Sequence, residues 1–348
     1  MQRGSLKKFV GDEYVRLKMG EFMTKFAIID LGSNSIRMTI SQYRKNGEYE
    51  VLGRFQEMVR LSAGMGRKRV LQSDAIDRTI QAVKEFKKEI AKYDQINVRA
   101  VATAAVRQAS NQEEFLERFQ SALDQPLEVI SGIQEAHYDY MGIIETLPID
   151  NALILDTGGA SLEMVMVRDR KEIHAISLPV GAVNISETYL EKDKISAVSF
   201  FKSSTALQRL FRDVSWLLEV RNFPIVAIGG SNRTLAKISR RQREVVGLPI
   251  HGYHLPSDEA NHIFEQVLGS NLKERGDLPG LAKNRADIIV GGMLPIIKLF
   301  QYIDSDQVIF SQSGLREGIL FEEIQKVTGH EVLDPRVDES VDTESDET

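Results

Sequence analysis

The sequence predicts an α/β protein built of two related halves, each with a mixed β-sheet. Three observations support this prediction. Meander strands followed by alternating helices and strands occur twice along the chain, an order typical of sheets covered by helices. A segment of the first half, IIDLGSNSIRMTI, has a counterpart in the second half, ILDTGGASLEMVMV. The 348 residues also exceed what one hydrophobic core usually spans, so we expect two domains facing each other across a cleft.

Hydrophobic periodicity gives the order of elements in the first half. Alternating or continuous apolar runs of four to eight residues predict strands, and apolar residues three and four apart predict helices. The predicted elements are strands near 25–31, 36–43 and 49–58, a helix near 73–93, a strand at 97–103, a helix at 111–123, a strand at 127–130 and a helix at 132–145.

The second half repeats this order from residue 151 onward. The same patterns predict strands near 151–156, 161–168 and 171–178, helices at 181–191 and 195–219, a strand at 224–228, helices beginning at 231, 257 and 282, a strand at 307–310 and a helix at 314–327. Each half thus begins with a three-stranded meander.

Four segments follow from this order. We expect a flexible extension at 1–24, an N-terminal domain at 25–147, a C-terminal domain at 148–328 whose last helix packs back on the first domain, and a tail at 329–348. Residues 331–348 hold eight acids and one arginine, which predicts a disordered acidic tail and leaves about +1 of the net charge of −6 for the rest. Because the fold-like sequence begins only at Lys25, we expect the natural chain to start at Met23.

Composition excludes several classes of protein. The absence of cysteine removes disulfides, thiol catalysis and thiolate metal sites, and it favours a cytoplasmic location. The six histidines are scattered and form no HxxxH pair, so zinc is not expected. The longest apolar run, 288–297, contains two glycines and a proline and is too short to cross a membrane. A nearly neutral body with one tryptophan and no basic aromatic stripe argues against nucleic-acid binding.

The two matching segments, IIDLGSNSIRMTI and ILDTGGASLEMVMV, have the same order of residues: an apolar strand, an aspartate, one residue, a glycine and small polar residues. Asp30 and Asp156 are hard oxygen ligands suited to Mg²⁺, and a glycine-rich turn can direct backbone N–H groups at one point. Either loop alone could be an ordinary hairpin turn. Because both carry the aspartate at the same offset, we interpret them as two facing loops that bind a phosphate and its metal ion between them. Neither loop has the sequence GxxxxGK[ST], and no GxGxxG follows a first strand and opens a helix. This argues against P-loop and dinucleotide-binding proteins.

Several motifs in register resemble the exopolyphosphatase and guanosine pentaphosphate phosphohydrolase (Ppx/GppA) family, in its short two-domain form. These are DLGSNS at 30–35, VATAAVRQASN at 101–111, EVISGIQEAHYDYMGI at 128–143, LDTGGASLE at 155–163, LPVGAV at 178–183 and AIGGSNRTL at 227–235. The resemblance implies two duplicated actin-like ATPase (ribonuclease H-like) domains. It implies Mg²⁺-dependent hydrolysis of the terminal phosphoryl group of polyphosphate or guanosine pentaphosphate, with a homodimer as the expected assembly.

The resemblance also implies roles for individual residues. Glu135 falls on the position of the family's proposed base, and Arg107 on that of an arginine that could bind the transferring phosphate. Gln134 departs from the family, which usually has a second acid there, and this puts the metal arrangement or the substrate in question. From the residues alone, Glu135 could instead be an acid that stabilises a helix N-terminus, and Arg107 could be a surface arginine.

The remaining site predictions rest on the loops. Asp30, Asp156 and Glu163 are the predicted Mg²⁺ ligands, although Glu163 could alternate to solvent along its strand. The residues predicted to hold phosphoryl oxygens through N–H and hydroxyl groups are Gly32, Ser33, Asn34, Ser35, Gly158, Gly159 and Ser161. Basic residues at 66–69 and 232–243 could follow a long anionic chain or could simply be solvated.

We expect an exopolyphosphatase. The alternatives are a guanosine pentaphosphate phosphatase and a sensor of polyphosphate or alarmone with little turnover, which the Gln134 departure motivates. Sugar and acetate kinases of the same superfamily fit less well, because the motifs follow the phosphatase pattern around Glu135.

Overall fold

A computed structural model of the chain describes residues 23–333 and 335. The predictions for 1–22, including the flexible extension, and for most of the acidic tail concern residues outside this part. In the first half the elements are β1 Thr24–Leu31, β2 Ile36–Tyr43, β3 Tyr49–Glu57, α1 Ser73–Ile90, β4 Ile96–Ala102, α2 Ala104–Arg107, α3 Gln112–Leu123, β5 Leu127–Val129 and α4 Gly132–Ile144.

The second half repeats the pattern with insertions. Its elements are β6 Ala152–Thr157, β7 Leu162–Arg168, β8 Lys171–Leu178, α5 Ala182–Tyr189, α6 Ala197–Arg212, β9 Ile225–Ile228, α7 Gly230–Gln242, β10 His254–Pro256, α8 Ser257–Gly269, α9 Leu272–Gly276, α10 Ile289–Ile303, β11 Gln307–Phe310 and α11 Leu315–Thr328. Short 3₁₀ helices lie at Leu217–Val220 and Lys283–Arg285.

The two sheets have the same topology. The first has the strand order β3-β2-β1-β4-β5 and the second β8-β7-β6-β9-β11, with β10 added at its edge. In both, the three meander strands pair antiparallel. The next strand, β4 or β9, pairs parallel with the first strand of the meander, and β5 or β11 pairs parallel with β4 or β9. The predicted fold class, α/β with two duplicated mixed sheets, is confirmed. In each sheet the carboxyl ends of the parallel strands lie at one edge. Loops from these edges of both sheets line one cleft.

Two helices cross between the halves. Apolar side chains of α4, among them Ala136 and Ile143, pack with the second sheet, whereas Ile319 and Ile324 of α11 pack with Phe26 of the first sheet. The helices therefore interlock the two sheets. The domain limits 25–147 and 148–328 stay predictions, since the hydrophobic contacts run across them.

Glycines make this crossing possible. A Cβ on Gly142 of α4 would lie 2.4 Å from the carbonyl oxygen of Gly314, and one on Gly318 of α11 would lie 2.0 Å from the carbonyl oxygen of Tyr138. Such distances are far inside van der Waals contact, so only glycine allows the backbones to approach this closely. The crossing brings the start of α11 beside the middle of α4.

Some predicted elements were wrong in extent. The helix predicted at 195–219 ends at Arg212, and the chain turns so that Trp216, Leu217 and Val220 enter the core from a separate 3₁₀ turn. The helix predicted from 282 begins at Ile289, after another 3₁₀ turn. Strand β10 was missed because it has three residues and ends in a proline, which an edge strand tolerates. Helices α2 and α9 are too short to show a period.

Candidate active site

The first loop joins β1 to β2 as a tight hairpin. The N–H of Gly32 donates to the carbonyl oxygen of Ser35 at 3.1 Å, and Asp30 pairs in register with Arg37 of β2. The segment after β3 supports the loop from behind, since the N–H groups of Val59 and Arg60 both donate to the carbonyl oxygen of Asn34, and that of Ser62 to Ser33. The backbone of the loop is thus fixed by several hydrogen bonds.

The second loop repeats this geometry between β6 and β7. The N–H of Gly158 donates to the carbonyl oxygen of Ser161 at 3.1 Å, and Asp156 pairs in register with Glu163. The start of α5 supports this loop, because the N–H of Ala182 donates to Gly158 at 2.9 Å. Gly229, at the end of β9, has a φ of 94°, and a Cβ there would lie 2.6 Å from Oδ1 of Asp156. Glycine is required to leave room for that carboxylate.

The two loops touch each other. A Cβ on Gly159 would lie 2.8 Å from the Cβ of Ser33 and 3.7 Å from the N atom of Asn34. Most of the residues predicted for the site line the cleft at this contact, namely Asp30, Gly32, Ser33, Asn34, Ser35, Glu135, Asp156, Gly158, Gly159 and Ser161. Glu163 and Arg107 are not among the lining residues, but Glu163 contacts Ser161 and Arg107 contacts Glu135, both of which line the cleft.

Three carboxylates lie together near the second loop, with Glu135 and Glu163 buried and Asp156 half-buried. Glu135, Asp156 and Glu163 each offer an oxygen atom, and these atoms lie within 4.8 Å of one another, close enough to hold one metal ion. Glu163 does not alternate to solvent: it is 1% exposed and accepts hydrogen bonds from Ser161 at 3.2 Å and Ser177 at 2.7 Å. Asp30 lies in the same cleft but outside this triad. The donors are all carboxylate oxygens, a set that suits a hard divalent cation.

Arg107 is the cation nearest the triad. Its Nη1 donates to Oε2 of Glu135 at 3.1 Å and to the carbonyl oxygen of Ile130 at 2.9 Å, and its Nη2 lies 3.9 Å from Glu163. The guanidinium therefore fixes the position of the Glu135 carboxylate. Its predicted contact with a phosphate stays a prediction.

Gln134 lies outside the cleft. Its side-chain oxygen accepts the N–H of Ser131 at 2.9 Å, and the Ser131 hydroxyl accepts the N–H of Gln134 at 3.1 Å, a reciprocal cap at the start of α4. Both residues are exposed, whereas Glu135 is buried. The helix is thus capped by Ser131 and Gln134, and Glu135 faces the other carboxylates. The departure at 134 does not take a charge from the triad.

Burial and mutual repulsion disfavour ionisation of the acids. Burial raises the pKa of Asp156 to about 6, and burial together with the charge of Asp156 raises the pKa of Glu163 to about 8. Burial and then Glu163 raise the pKa of Glu135 well above its usual range, which Arg107 only partly offsets. Burial also raises the pKa of Asp30, where Arg316 and Arg37 oppose the shift, as Arg37 and Arg233 do at Asp156. A bound cation would relieve the repulsion at the triad.

Several residues that line the cleft were missed by the sequence interpretation. They are Asp139 of α4, Arg37, Arg285, the start of α11 at Arg316 and Glu317, and the loop after β11 with Ser311, Gln312 and Ser313. Asp139 could have been found, because it follows Glu135 by four residues and thus lies on the same face of the helix. Arg233, from the basic segment 232–243, also lines the cleft, whereas no residue of 66–69 is among the lining residues described.

Comparison with known proteins identifies the family. The model of the Ppx/GppA phosphatase family matches residues 39–327. The chain belongs to this family. The predicted resemblance and the prediction of an enzyme are thereby confirmed.

Two curated relatives of this Ppx/GppA chain have different names. A Haemophilus influenzae protein, provisionally named an exopolyphosphatase, is 28% identical over 85% of this chain and 90% of its own length. The guanosine-5′-triphosphate,3′-diphosphate pyrophosphatase of Pseudoalteromonas translucida is 28% identical over 91% of this chain, which spans only 63% of that relative.

Solved structures agree with the Ppx/GppA fold. The Aquifex aeolicus family member is 31% identical and superposes with a TM-score of 0.73, covering 88% of this chain and 99% of its own. An exopolyphosphatase from Cytophaga hutchinsonii, 22% identical, has a TM-score of 0.77 over 87% of this chain and 98% of its own, and it supports the fold alone. In the part of this chain that the structure describes, no helix is long and apolar enough to span a membrane.

Proposed function

We propose that the protein is a Mg²⁺-dependent exopolyphosphatase that hydrolyses the terminal phosphoryl group of inorganic polyphosphate. The observation that carries the proposal is the contact of the two glycine loops in a cleft that Glu135 and Asp156 of the carboxylate triad also line. Phosphoryl transfer needs positioning, charge neutralisation and an oriented nucleophile, and this cleft offers a group for each of these.

The loops would hold the terminal phosphoryl group. Asn34 lines the cleft, and its Nδ2 atom is buried without an acceptor among residues 23–333, so it is suited to donate to a phosphoryl oxygen. The hydroxyls of Ser33 and Ser35 line the same surface. The hydroxyl of Ser161 already donates to Glu163, so we assign Ser161 to the support of that carboxylate.

Glu135 would act as the base. It is buried at the first turn of α4, and Arg107 holds its carboxylate in place, so it can accept a proton from a water molecule that attacks the phosphorus in line with the leaving phosphate. Asp156 and Glu163 would hold Mg²⁺ next to Glu135, because carboxylate oxygens of the three residues lie within 4.8 Å of one another. When bound, the ion would neutralise negative charge that develops on the phosphoryl oxygens.

A second candidate is hydrolysis of guanosine pentaphosphate, which the name of the Pseudoalteromonas translucida relative favours. Both reactions use the same terminal-phosphate chemistry. We place polyphosphate first because this chain spans 90% of the Haemophilus influenzae relative but only 63% of the pyrophosphatase. The hypothesis of a sensor with little turnover rested on the departure from the family at Gln134. Because Gln134 caps α4 and is not part of the triad, this departure no longer supports it.

The test is orthophosphate release by purified protein with Mg²⁺ from polyphosphates of several lengths and from guanosine pentaphosphate. Faster release from polyphosphate supports the first candidate, and faster release from the pentaphosphate supports the second. Absence of release from any substrate by folded protein would defeat both. A homodimer, a cytoplasmic location and the absence of a nucleic-acid partner remain proposals that rest on the resemblance and on composition; light scattering checks the first.

A further inference from the structure

A second group of buried oxygen atoms lies in the cleft, beside the triad. Oδ2 of Asp139, Oδ1 of Asp156, Oε1 of Gln312 and Oγ of Ser313 are all buried, and none has a hydrogen-bond partner within the described chain. All four residues line the cleft. Asp139 and Ser313 are each only 1% exposed. Buried polar atoms without a hydrogen-bond partner are rare, because they cost free energy of folding. We therefore expect a ligand to contact these oxygen atoms.

The sheet order explains why there are two groups and not one. Strands β7, β6, β9 and β11 lie side by side. Glu163 is on β7, on one side of Asp156, and the loop with Gln312 and Ser313 follows β11, on the other side. Oδ1 of Asp156 faces Gly229 at the end of β9, toward that loop. Helix α4 contributes one acid to each side, Glu135 and, one turn later, Asp139.

The backbone of the loop after β11 is held by hydrogen bonds. The Ser311 hydroxyl accepts the N–H of Ser313 at 3.1 Å and donates to its carbonyl oxygen at 2.8 Å, while the N–H of Gln312 donates to His251. A Cβ on Gly314 would lie 3.0 Å from Oδ1 of Asp139, so the loop lies directly against this acid. These hydrogen bonds use the backbone and the Ser311 hydroxyl, so the side-chain oxygens of Gln312 and Ser313, like Nε2 of Gln312, have no partner among the described residues.

We infer that Asp139, Asp156, Gln312 and Ser313 form a second binding site for a hard divalent cation, which shares Asp156 with the triad. All its donors are carboxylate, amide or hydroxyl oxygens, the ligands that Mg²⁺ and Mn²⁺ prefer. Asp156 has two carboxylate oxygens and can therefore serve both sites. Paired cations that share a carboxylate are suited to phosphoryl chemistry, so the catalytic meaning of the site rests on the proposed function, while the binding itself does not.

The test counts bound ions with Mn²⁺ alone, by equilibrium dialysis and electron paramagnetic resonance. We expect two ions for each wild-type chain, one for Asp139→Asn, and two for the matched control Asp150→Asn, which changes an exposed aspartate. Glu163→Gln should lose the other ion and retain that at Asp139. One ion in the wild type, or two in Asp139→Asn, would overturn the inference.

A second pair of variants keeps the test decisive if Asp139→Asn does not fold. Gln312→Leu and Ser313→Ala remove one oxygen each, and we expect either to weaken the second Mn²⁺ without changing the first. Equal weakening of both ions, or of neither, would also contradict the site. If two ions bind and no phosphate ester or anhydride is hydrolysed, the proposed function fails and this site stands.

Discussion

The two glycine loops have the same backbone but differ in the charge of the residue that pairs with the aspartate. Each closes with one N–H to carbonyl hydrogen bond of 3.1 Å, and each follows a strand that ends near an aspartate. In register with Asp30 stands Arg37, whereas in register with Asp156 stands Glu163. The duplication has thus kept the shape of the loop in both halves and changed the charge at one position. Asp30 thus has a cation in register and Asp156 an acid, while Arg37 and Arg233 oppose the raised pKa of Asp156 as well.

The crossing of the helices increases this difference. Arg316, at the start of α11, reaches the first sheet and donates to the hydroxyl of Thr39 at 3.1 Å, and its charge opposes the raised pKa of Asp30. Helix α4 brings Glu135 and Asp139 to Asp156 instead; burial raises the pKa of both, and the charge of Asp156 raises each further. We therefore expect cation binding to belong to the second loop and Asp30 to have a different role.

The largest effect is expected at Glu135. If it is the base, Glu135→Gln should lower turnover by on the order of 10²–10⁴ with little loss of substrate binding. The measurement is orthophosphate release under saturating polyphosphate, with binding followed by calorimetry. Gln134→Glu is the matched control, because residue 134 is exposed in the helix cap, and it should retain turnover. Full activity in Glu135→Gln would show that the base is elsewhere.

The next effect compares the two aspartates directly. Asp156→Asn should lower Mn²⁺ affinity by at least about 10-fold, because this carboxylate is a ligand of the triad. Asp30→Asn should change Mn²⁺ affinity much less, since Asp30 lies outside the triad and Arg316 opposes the shift in its pKa. Titration of both variants under the same conditions checks this. Equal losses would mean that the two loops share the cation and that the comparison is wrong.

A smaller effect is expected where the loops touch. Gly159→Ala places a methyl group against the Cβ of Ser33, so it should lower the free energy of unfolding by about 1–3 kcal/mol. Ser33→Gly removes the opposing Cβ, and the double variant should regain much of the loss. Thermal unfolding of the two single variants and the double variant measures the coupling. Additive losses would show that the loops do not press on each other in solution.

The sequence was sufficient for the loops because their signal is local. An aspartate, a glycine and small residues recur at one offset, and the residue seven positions after each aspartate, Arg37 or Glu163, already shows the change of charge. The cap at 131–134 was also readable as the S-x-x-Q pattern of a capping box. The position of Glu135 came from resemblance, since the sequence alone allows an acid at a helix N-terminus for stability only.

What the sequence could not supply depends on packing between distant elements. Asp139 meets Gln312 and Ser313 only because α4 crosses α11 at glycines and because β11 lies next to β9 in the sheet. Neither relation leaves a periodic trace in the chain. Arg316 likewise reaches Asp30 from the far end of the sequence. The places of the loops and of single helix turns could be predicted from the sequence, whereas contacts made by crossing helices could not.

The smallest expected effect is on stability across pH without metal. Burial raises the pKa of Asp156 from 3.8 to about 6 and that of Glu163 from 4.5 to about 8 in the folded chain. The folded state then holds protons that the unfolded state has released, so the stability these groups contribute is full below about pH 4 and is lost as pH rises toward 8. We expect the Tm of chelator-treated protein to fall over this range, to fall less in Glu163→Gln, and to recover with Mg²⁺. Asp30→Asn is the matched variant in the first loop. Its Tm should recover with Mg²⁺ as that of the wild type does, because in the wild type the charge of Asp30 is already opposed by arginines. A Tm that rises with pH in the chelated wild type would mean that the acids of the second loop are not short of positive charge.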